Sequence, residues 1–235
     1  MNQYDLSNKR ILFIGGQTGL DNAILSLLRQ SMALDSGIND RLVLYTGTVI
    51  DDIENDIKKT VTNGGPFDGV VFNIVHSDFR PLQFVNPSLV TEINNVNYAL
   101  FVEIIRSLKK NRGLNKNASI VAMSSISSTR AMKAKMAFCA SKAALDAAVR
   151  CMSLELADKG IRVNTIQKGA VDTDSEKSHI QDVQSIRSEE AIIDNSAPLG
   201  LVKANEIAEM VAFLLSDAVK SITGTSIVID GGYLA

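Results

Sequence analysis

The feature that most constrains the fold of this chain is the alternation of short apolar runs with segments that repeat Ile and Leu at helical spacing. Residues 9–14 form an apolar run that ends at Gly15 and Gly16, and residues 22–32 then carry apolar side chains every three or four positions. Strands that alternate with helices pair in parallel through crossover connections. The sequence therefore predicts a doubly wound, parallel α/β sheet in three layers.

The same alternation continues to the end of the chain. Further strands are predicted near residues 42–45, 70–73, 119–123, 162–166 and 226–229, and further helices over residues 51–61, 90–110, 138–158 and 205–215. The count is six strands. With 235 residues, of which 46% are hydrophobic, the chain can bury one sizeable core, so we expect residues 1–235 to form a single domain.

Composition and charge indicate which classes of molecule this protein does not bind. The net charge of -2 gives no basic footprint for nucleic acid or an anionic membrane, and no segment approaches the ~20 apolar residues of a membrane span. The first residues lack a basic run followed by an apolar stretch, so we expect a cytoplasmic protein. Cys139 and Cys151 are expected to be free thiols, and no metal site is predicted.

Several motifs lie where this fold binds ligands. The loop from Gly15 to Asp21, which includes Gly19 and Leu20, joins the first strand to the first helix, where helix amides can hold a pyrophosphate. Downstream, the sequence reads Phe138-Cys139-Ala140-Ser141-Lys142, preceded by Ser124-Ser125. The chain closes with Ile229-Asp230-Gly231-Gly232.

These segments resemble the short-chain dehydrogenase/reductase family, over nearly the whole chain and most strongly from residue 119 onward. The resemblance implies a Rossmann-like fold and a reaction centre of four residues. Ser125 would polarise a substrate carbonyl, Lys142 would hold the cofactor ribose, Asn97 would support a water relay, and Phe138 stands where the family has its acidic tyrosine. The spacing of four residues places Phe138 and Lys142 on one helical face.

The resemblance also implies a cofactor, NAD or NADP, and a small carbonyl or alcohol substrate. The strand that normally reads the adenine ribose ends Tyr45-Thr46-Gly47-Thr48 without a diagnostic charge, so the two cofactors are not distinguished. The residues that the resemblance assigns to the cofactor are Gly15, Gly19, Leu20, Asn73, Lys142, Gly169, Val171 and Thr173.

Four departures from the family pattern weaken this expectation. Phe138 lacks the phenol, and Asp21 replaces a glycine, where it serves either as a resident anion in the phosphate site or as a plain helix N-cap. In Phe72-Asn73-Ile74-Val75 only the Asn of the Asn-Asn-Ala-Gly motif remains, and Ile74 and Val75 are expected to add bulk along the adenosine path. One β-α unit is missing from the N-terminal half.

Two functions follow as alternatives. The first is an NAD(P)-linked oxidoreductase with weak or absent hydride transfer and weak or lost cofactor binding, in which His76 could substitute for the acid or simply be a solvated loop histidine. The second is a non-catalytic pseudoenzyme that binds or assembles with an active paralogue.

Several further expectations follow from the resemblance. It implies a homo-dimer or homo-tetramer through the helices at residues 90–110 and 138–158. The polar residues 174–195 are expected to form a substrate lid or a solvated insertion. An engineered Tyr-to-Phe change would explain Phe138 alone, and the four departures together favour natural divergence.

Overall fold

The structure, a computed structural model, describes residues 4–16, 18–33, 40–47, 50, 52–174 and 197–235. Six strands form one sheet: β1 Ile11–Gly15, β2 Leu42–Tyr45, β3 Phe67–Asn73, β4 Leu114–Ser125, β5 Arg162–Lys168 and β6 Ser226–Ile229. The helices are α1 Gly19–Ser31, α2 Ile53–Gly64, α3 Pro87–Asn94, α4 Leu100–Lys110, α5 Met136–Glu155 and α6 Ala204–Leu215. The substrate lid or solvated insertion predicted for residues 174–195 lies outside the described residues, except for residue 174.

The sheet is parallel throughout, with strand order β2-β1-β3-β4-β5-β6. Helices α2, α4 and α5 pack on one face, and α1 and α6 pack on the other, each over its own buried apolar cluster. This arrangement confirms the predicted doubly wound, three-layer fold with six strands. Between α1 and β3 the described residues hold one strand, β2, and one helix, α2, as expected for a chain that lacks one β-α unit.

The boundaries differ from the predicted ones for local reasons. Helix α1 begins at Gly19 because Thr18 accepts a hydrogen bond from the Asp21 amide and caps it. Asn86 caps α3 in the same way, with Pro87 at the first helical position. The predicted helix over residues 90–110 is interrupted by a π-helical turn, Asn95–Ala99, which separates α3 from α4.

Because all strands run in parallel, their carboxyl ends share one edge of the sheet, which is where ligands of such folds bind. β1 ends there at Gly15, β3 at Asn73, β4 at Ser125 and β5 at Lys168. The predicted site residues Gly15, Asn73 and Ser125 therefore lie along a single edge, with Gly169 directly after β5. Within the described residues, no helix has the length and apolar character that crossing a membrane requires.

Candidate functional site

Lys142 is the most buried cationic group at this edge of the sheet. Its side chain projects from α5 and is 2% exposed, and its Nζ donates a hydrogen bond to the Met123 carbonyl oxygen at 3.0 Å. Burial, together with the positive charge of Lys168, lowers the pKa of Lys142 to about 7, while Asp146 acts in the opposite direction. The lysine is therefore far less completely protonated than an ordinary lysine at neutral pH.

Phe138 lies one helical turn before Lys142 and is 7% exposed. Its ring presents no oxygen, so this side chain cannot donate a proton. The Lys135 ammonium lies 5.3 Å from the Phe138 ring centroid and 5.0 Å from that of Phe79. Lys135 is 8% exposed, and sequence reasoning missed it because nothing in the motif marks the position.

Ser125 ends β4, and its hydroxyl oxygen accepts a hydrogen bond from the Ser127 amide at 3.1 Å. In the β4–β5 pairing its register partner is Lys168. Side chains in register on neighbouring strands share a face of the sheet, so Lys168 stands beside Ser125. Lys168 is not among the site residues predicted from the sequence, and its effect on Lys142 is visible only from the fold.

Asn97 is fully buried at the π turn between α3 and α4. Its side-chain oxygen accepts from the His76 amide at 2.7 Å, and its side-chain nitrogen donates to the His76 carbonyl oxygen at 2.8 Å and to Ser141 Oγ at 2.9 Å. The residue thus ties the loop after β3 to helix α5. The extra residue of the π turn directs this side chain inward.

His76 itself faces α3. Its Nε2 lies 3.5 Å from a carboxylate oxygen of Glu92, and 38% of its side chain is exposed. These contacts are those of a half-solvated loop histidine, and a role as the substitute acid stays a prediction.

The phosphate end of the edge is organised around Asp21. Its carboxylate is fully buried and accepts hydrogen bonds from the Thr18 amide at 2.7 Å, from Thr18 Oγ1 at 2.9 Å and from Asn73 Nδ2 at 2.7 Å. Asp21 is the third helical residue in a reciprocal capping box with Thr18, so its assignment as the N-cap is wrong. The pattern Thr-x-x-Asp at residues 18–21 was the signal in the sequence.

The predicted glycines surround this carboxylate. A Cβ added at Gly15 would stand 2.6 Å from an Asp21 oxygen and 2.3 Å from the Phe13 ring, so residue 15 must lack a side chain. A Cβ at Gly19 would lie 3.3 Å from the Thr173 side chain. Leu20 turns into the core at 5% exposure and offers this edge only its backbone.

The segment after β5 closes the other side. Gly169 donates its amide to the Ile229 carbonyl oxygen at 2.8 Å, and a Cβ there would come within 2.9 Å of Asp230 Cα. Val171 is buried and pairs with Val202, whereas Thr173 reaches Gly19. The structure thereby brings this segment against the glycine loop.

The expected obstruction by the Phe72–Val75 segment is only partly right. Phe72 is fully buried against Phe101, with ring centroids 5.3 Å apart, and Ile74 joins the same core cluster at 7% exposure. The expectation that Ile74 adds bulk along the adenosine path is therefore wrong, because side chains alternate across the sheet. Val75 is half exposed. Among the described residues no group of three or more His, Cys, Asp or Glu side chains forms a metal site.

Comparisons with known proteins agree with this geometry. A family model described as enoyl-(acyl carrier protein) reductase matches residues 48–234. The 3-oxoacyl-(acyl-carrier-protein) reductase FabG of Rickettsia conorii is 31% identical, with 98% of each chain covered. D-erythrulose reductase of Gallus gallus is 31% identical over 72% of this chain and 68% of its own.

Solved structures show the same relationship. A short-chain dehydrogenase family protein from Francisella tularensis has 30% identity and a TM-score of 0.84, covering 96% of this chain and 98% of its own. ElxO, solved with NADP bound, shares the fold at 23% identity and a TM-score of 0.79, with 96% and 99% covered. The chain belongs to the short-chain dehydrogenase/reductase family of oxidoreductases.

Proposed function

We propose that this protein is an NAD(P)-linked oxidoreductase for a small carbonyl or alcohol substrate, in which hydride transfer is weak or absent. The observation that carries the proposal is the buried Phe138 ring one turn before Lys142 on α5, because the resemblance assigns the family's acidic tyrosine to this position. Loss of a positioned general acid lowers the rate of a reaction by about 10²–10⁴-fold. Water can still supply the proton, but slowly.

The remaining residues have separate roles in this proposal. The Ser125 hydroxyl polarises the substrate carbonyl at the end of β4, and Lys142 holds the ribose next to the reacting carbon. Asn97 fixes the backbone of His76 and the start of α5, which keeps the two sides of the site together. The chemistry that a dihydronicotinamide would supply here, when bound, is the hydride.

The two ends of the cofactor differ in how well the residues fit it. Ser125, Lys142, Gly169 and Thr173 suit the nicotinamide half, and relatives such as ElxO with NADP bound support a cofactor of this type. At the phosphate end, Asp21 already takes the Thr18 amide and places a negative charge at the N-terminus of α1. A pyrophosphate would have to approach that charge, so we expect binding to be weak.

A second candidate, a non-catalytic partner of an active paralogue, is favoured by a separate surface. A groove between α4 and the end of α5 is lined by apolar and charged side chains, and α5 also carries Leu154, which is 81% exposed. Apolar side chains that line an exposed groove rimmed by charged residues suit a protein partner. The groove is lined by Val102, Ile105, Arg106, Lys109, Met152, Glu155 and Leu156.

Cofactor binding and turnover distinguish the two candidates. We would measure the affinity of the wild-type protein for NADH and NADPH by fluorescence, and screen small aldehydes and ketones for reduction. Wild-type protein is expected to bind weakly and turn over slowly. No binding of either cofactor would remove the oxidoreductase proposal, and tight binding with rapid turnover would contradict the proposed impairment.

Variants at residues 138 and 21 test two effects separately: the missing general acid and the negative charge at the phosphate site. Phe138→Tyr alone is expected to raise turnover by less than about 10-fold, because Asp21 still opposes the cofactor. Asp21→Gly should improve cofactor affinity, and only the double variant should approach the gain of about 10²–10⁴-fold expected from a general acid. Asp21→Asn, which keeps the size of the side chain, is the matched control. If Asp21→Gly gains no affinity, Asp21 does not act as a resident anion.

A further inference from the structure

Lys142 has an environment that suits a neutral amine better than an ammonium. Within the described residues its Nζ donates to one acceptor, the Met123 carbonyl oxygen, although an ammonium carries three donors. The side chain is 2% exposed, so water contributes little further solvation. A buried charge with few partners is costly, and the neutral form avoids that cost.

The apolar ring of Phe138 adds to this environment. It lies one turn before Lys142 on the same face of α5, where a tyrosine would offer an oxygen to the ammonium. Phenylalanine offers none. The substitution that removes the acid therefore also removes a group that favours a charged lysine.

Lys168 is a second cation close to the first. It ends β5 in register with Ser125, and its positive charge disfavours protonation of Lys142. Asp146, one turn further along α5, pulls in the other direction, but its carboxylate is held by Gln167 Nε2 at 2.8 Å. Burial and Lys168 prevail and bring the pKa of Lys142 to about 7.

At neutral pH about half of the Lys142 side chains therefore carry a free lone pair, compared with about one in 10³ for an ordinary lysine. Lysines that are desolvated or placed beside another cation are the ones that act as nucleophiles toward carbonyl compounds. Lys142 combines both conditions at the edge of the sheet where ligands of this fold bind.

We propose that Lys142 is a carbonyl-reactive amine that forms a Schiff base with a small aldehyde or ketone, without any dinucleotide. The amine nitrogen adds to the carbonyl carbon, and the carbon–oxygen bond then breaks. The oxygen leaves as water with the two amine protons, so a carbon–nitrogen double bond replaces the carbon–oxygen one. No electrons are exchanged in this step, and hydrolysis reverses it.

Reductive trapping tests the proposal on the full chain. The protein, free of dinucleotide, is incubated at pH 7 with acetone and sodium cyanoborohydride, which converts a Schiff base into a stable isopropyl amine. Peptide mapping by mass spectrometry then gives the initial labelling rate at each lysine. We expect Lys142 to be labelled at least about 10-fold faster than exposed lysines, because they remain protonated. Lys142→Arg should lose this label.

A separate variant tests the contribution of Lys168 to the reactivity of Lys142. Lys168→Met should slow labelling of Lys142 at pH 7 by about 2- to 6-fold, as expected for a rise of half to one pKa unit, and the rate should recover at pH 9. Lys159→Met, which removes an exposed charge in the turn after α5, is the matched control and should leave the rate unchanged. Circular dichroism verifies that each variant is folded.

Labelling of Lys142 that is no faster than that of the exposed lysines would overturn the proposal, as would equal rates in wild-type and Lys168→Met protein at pH 7. Cofactor binding is measured separately, so this outcome is independent of the NAD(P) assignment. If the protein fails to bind NADH but Lys142 is still labelled rapidly, the proposed amine reactivity stands and the oxidoreductase proposal does not.

Discussion

At the scale of a residue, burial of Lys142 makes the stability of the whole protein depend on pH. The pKa of this lysine is about 7 in the folded chain and 10.5 in its unperturbed state. Between these values the unfolded chain binds more protons, so the free energy of unfolding must rise with pH. Below pH 7 both states are protonated and the penalty of roughly 3–5 kcal/mol is fully present.

We predict that Lys142→Met removes this dependence. The difference in the free energy of unfolding between the variant and the wild-type protein should shift by about 2–3 kcal/mol in favour of the wild type from pH 7 to pH 9. Urea unfolding at several pH values measures it. Lys159→Met serves as the control, and a difference that stays constant with pH would show that Lys142 remains charged in the folded protein.

Single residues also show what sequence reasoning can and cannot reach. The resemblance assigned Ser125, Lys142 and Asn97 to one site, and the alternation of strands and helices predicted the elements on or beside which they lie. Ile74 could not, since whether a strand residue faces core or crevice depends on register, and one position reverses its side. The hydrogen bond between Asn73 and Asp21 could not be predicted for another reason. The two residues are distant in sequence and come together only when β1 and β3 pair.

At the scale of an element, the π turn at residues 95–99 holds the site together. Asn97 supplies three hydrogen bonds there, two to the His76 backbone and one to Ser141 on α5. Periodicity predicted one helix over this region, because one extra residue in a turn barely disturbs an apolar pattern. The sequence therefore predicted the helical region but not the π turn that interrupts it.

We predict that Asn97→Ala destabilises the fold by about 2–4 kcal/mol. The change leaves the His76 amide and carbonyl without their partners in a partly buried setting, and each unsatisfied group costs about 1–3 kcal/mol when it is buried. Thermal and urea unfolding measure the loss. Asn95→Ala removes an exposed side chain from the same turn and should cost less than about 1 kcal/mol. Equal losses in the two variants would indicate that the turn itself is sensitive.

At the scale of the whole molecule, the fold followed from alternation, while the assembly depends on surfaces that a pattern does not reveal. The parallel order of six strands was expected because crossover helices permit few other topologies. Leu154 is an example of a surface that the sequence pattern does not reveal. Periodicity predicts an apolar residue on α5, but the 81% exposure of Leu154 is known only from the packed structure.

We predict that the protein self-associates through α4 and α5 and that Leu154→Glu weakens this association. Burying one leucine side chain contributes about 2 kcal/mol, so two copies across a symmetric dimer interface would raise the dissociation constant by about 10²–10³-fold when both are replaced. Sedimentation velocity across a concentration series measures the change. Leu199→Glu, at a residue that is 87% exposed in the loop before α6, is the matched control and should leave association unchanged. A wild-type protein that sediments as a monomer at all concentrations would contradict self-association, and the exposed α5 face would then be available to a different chain.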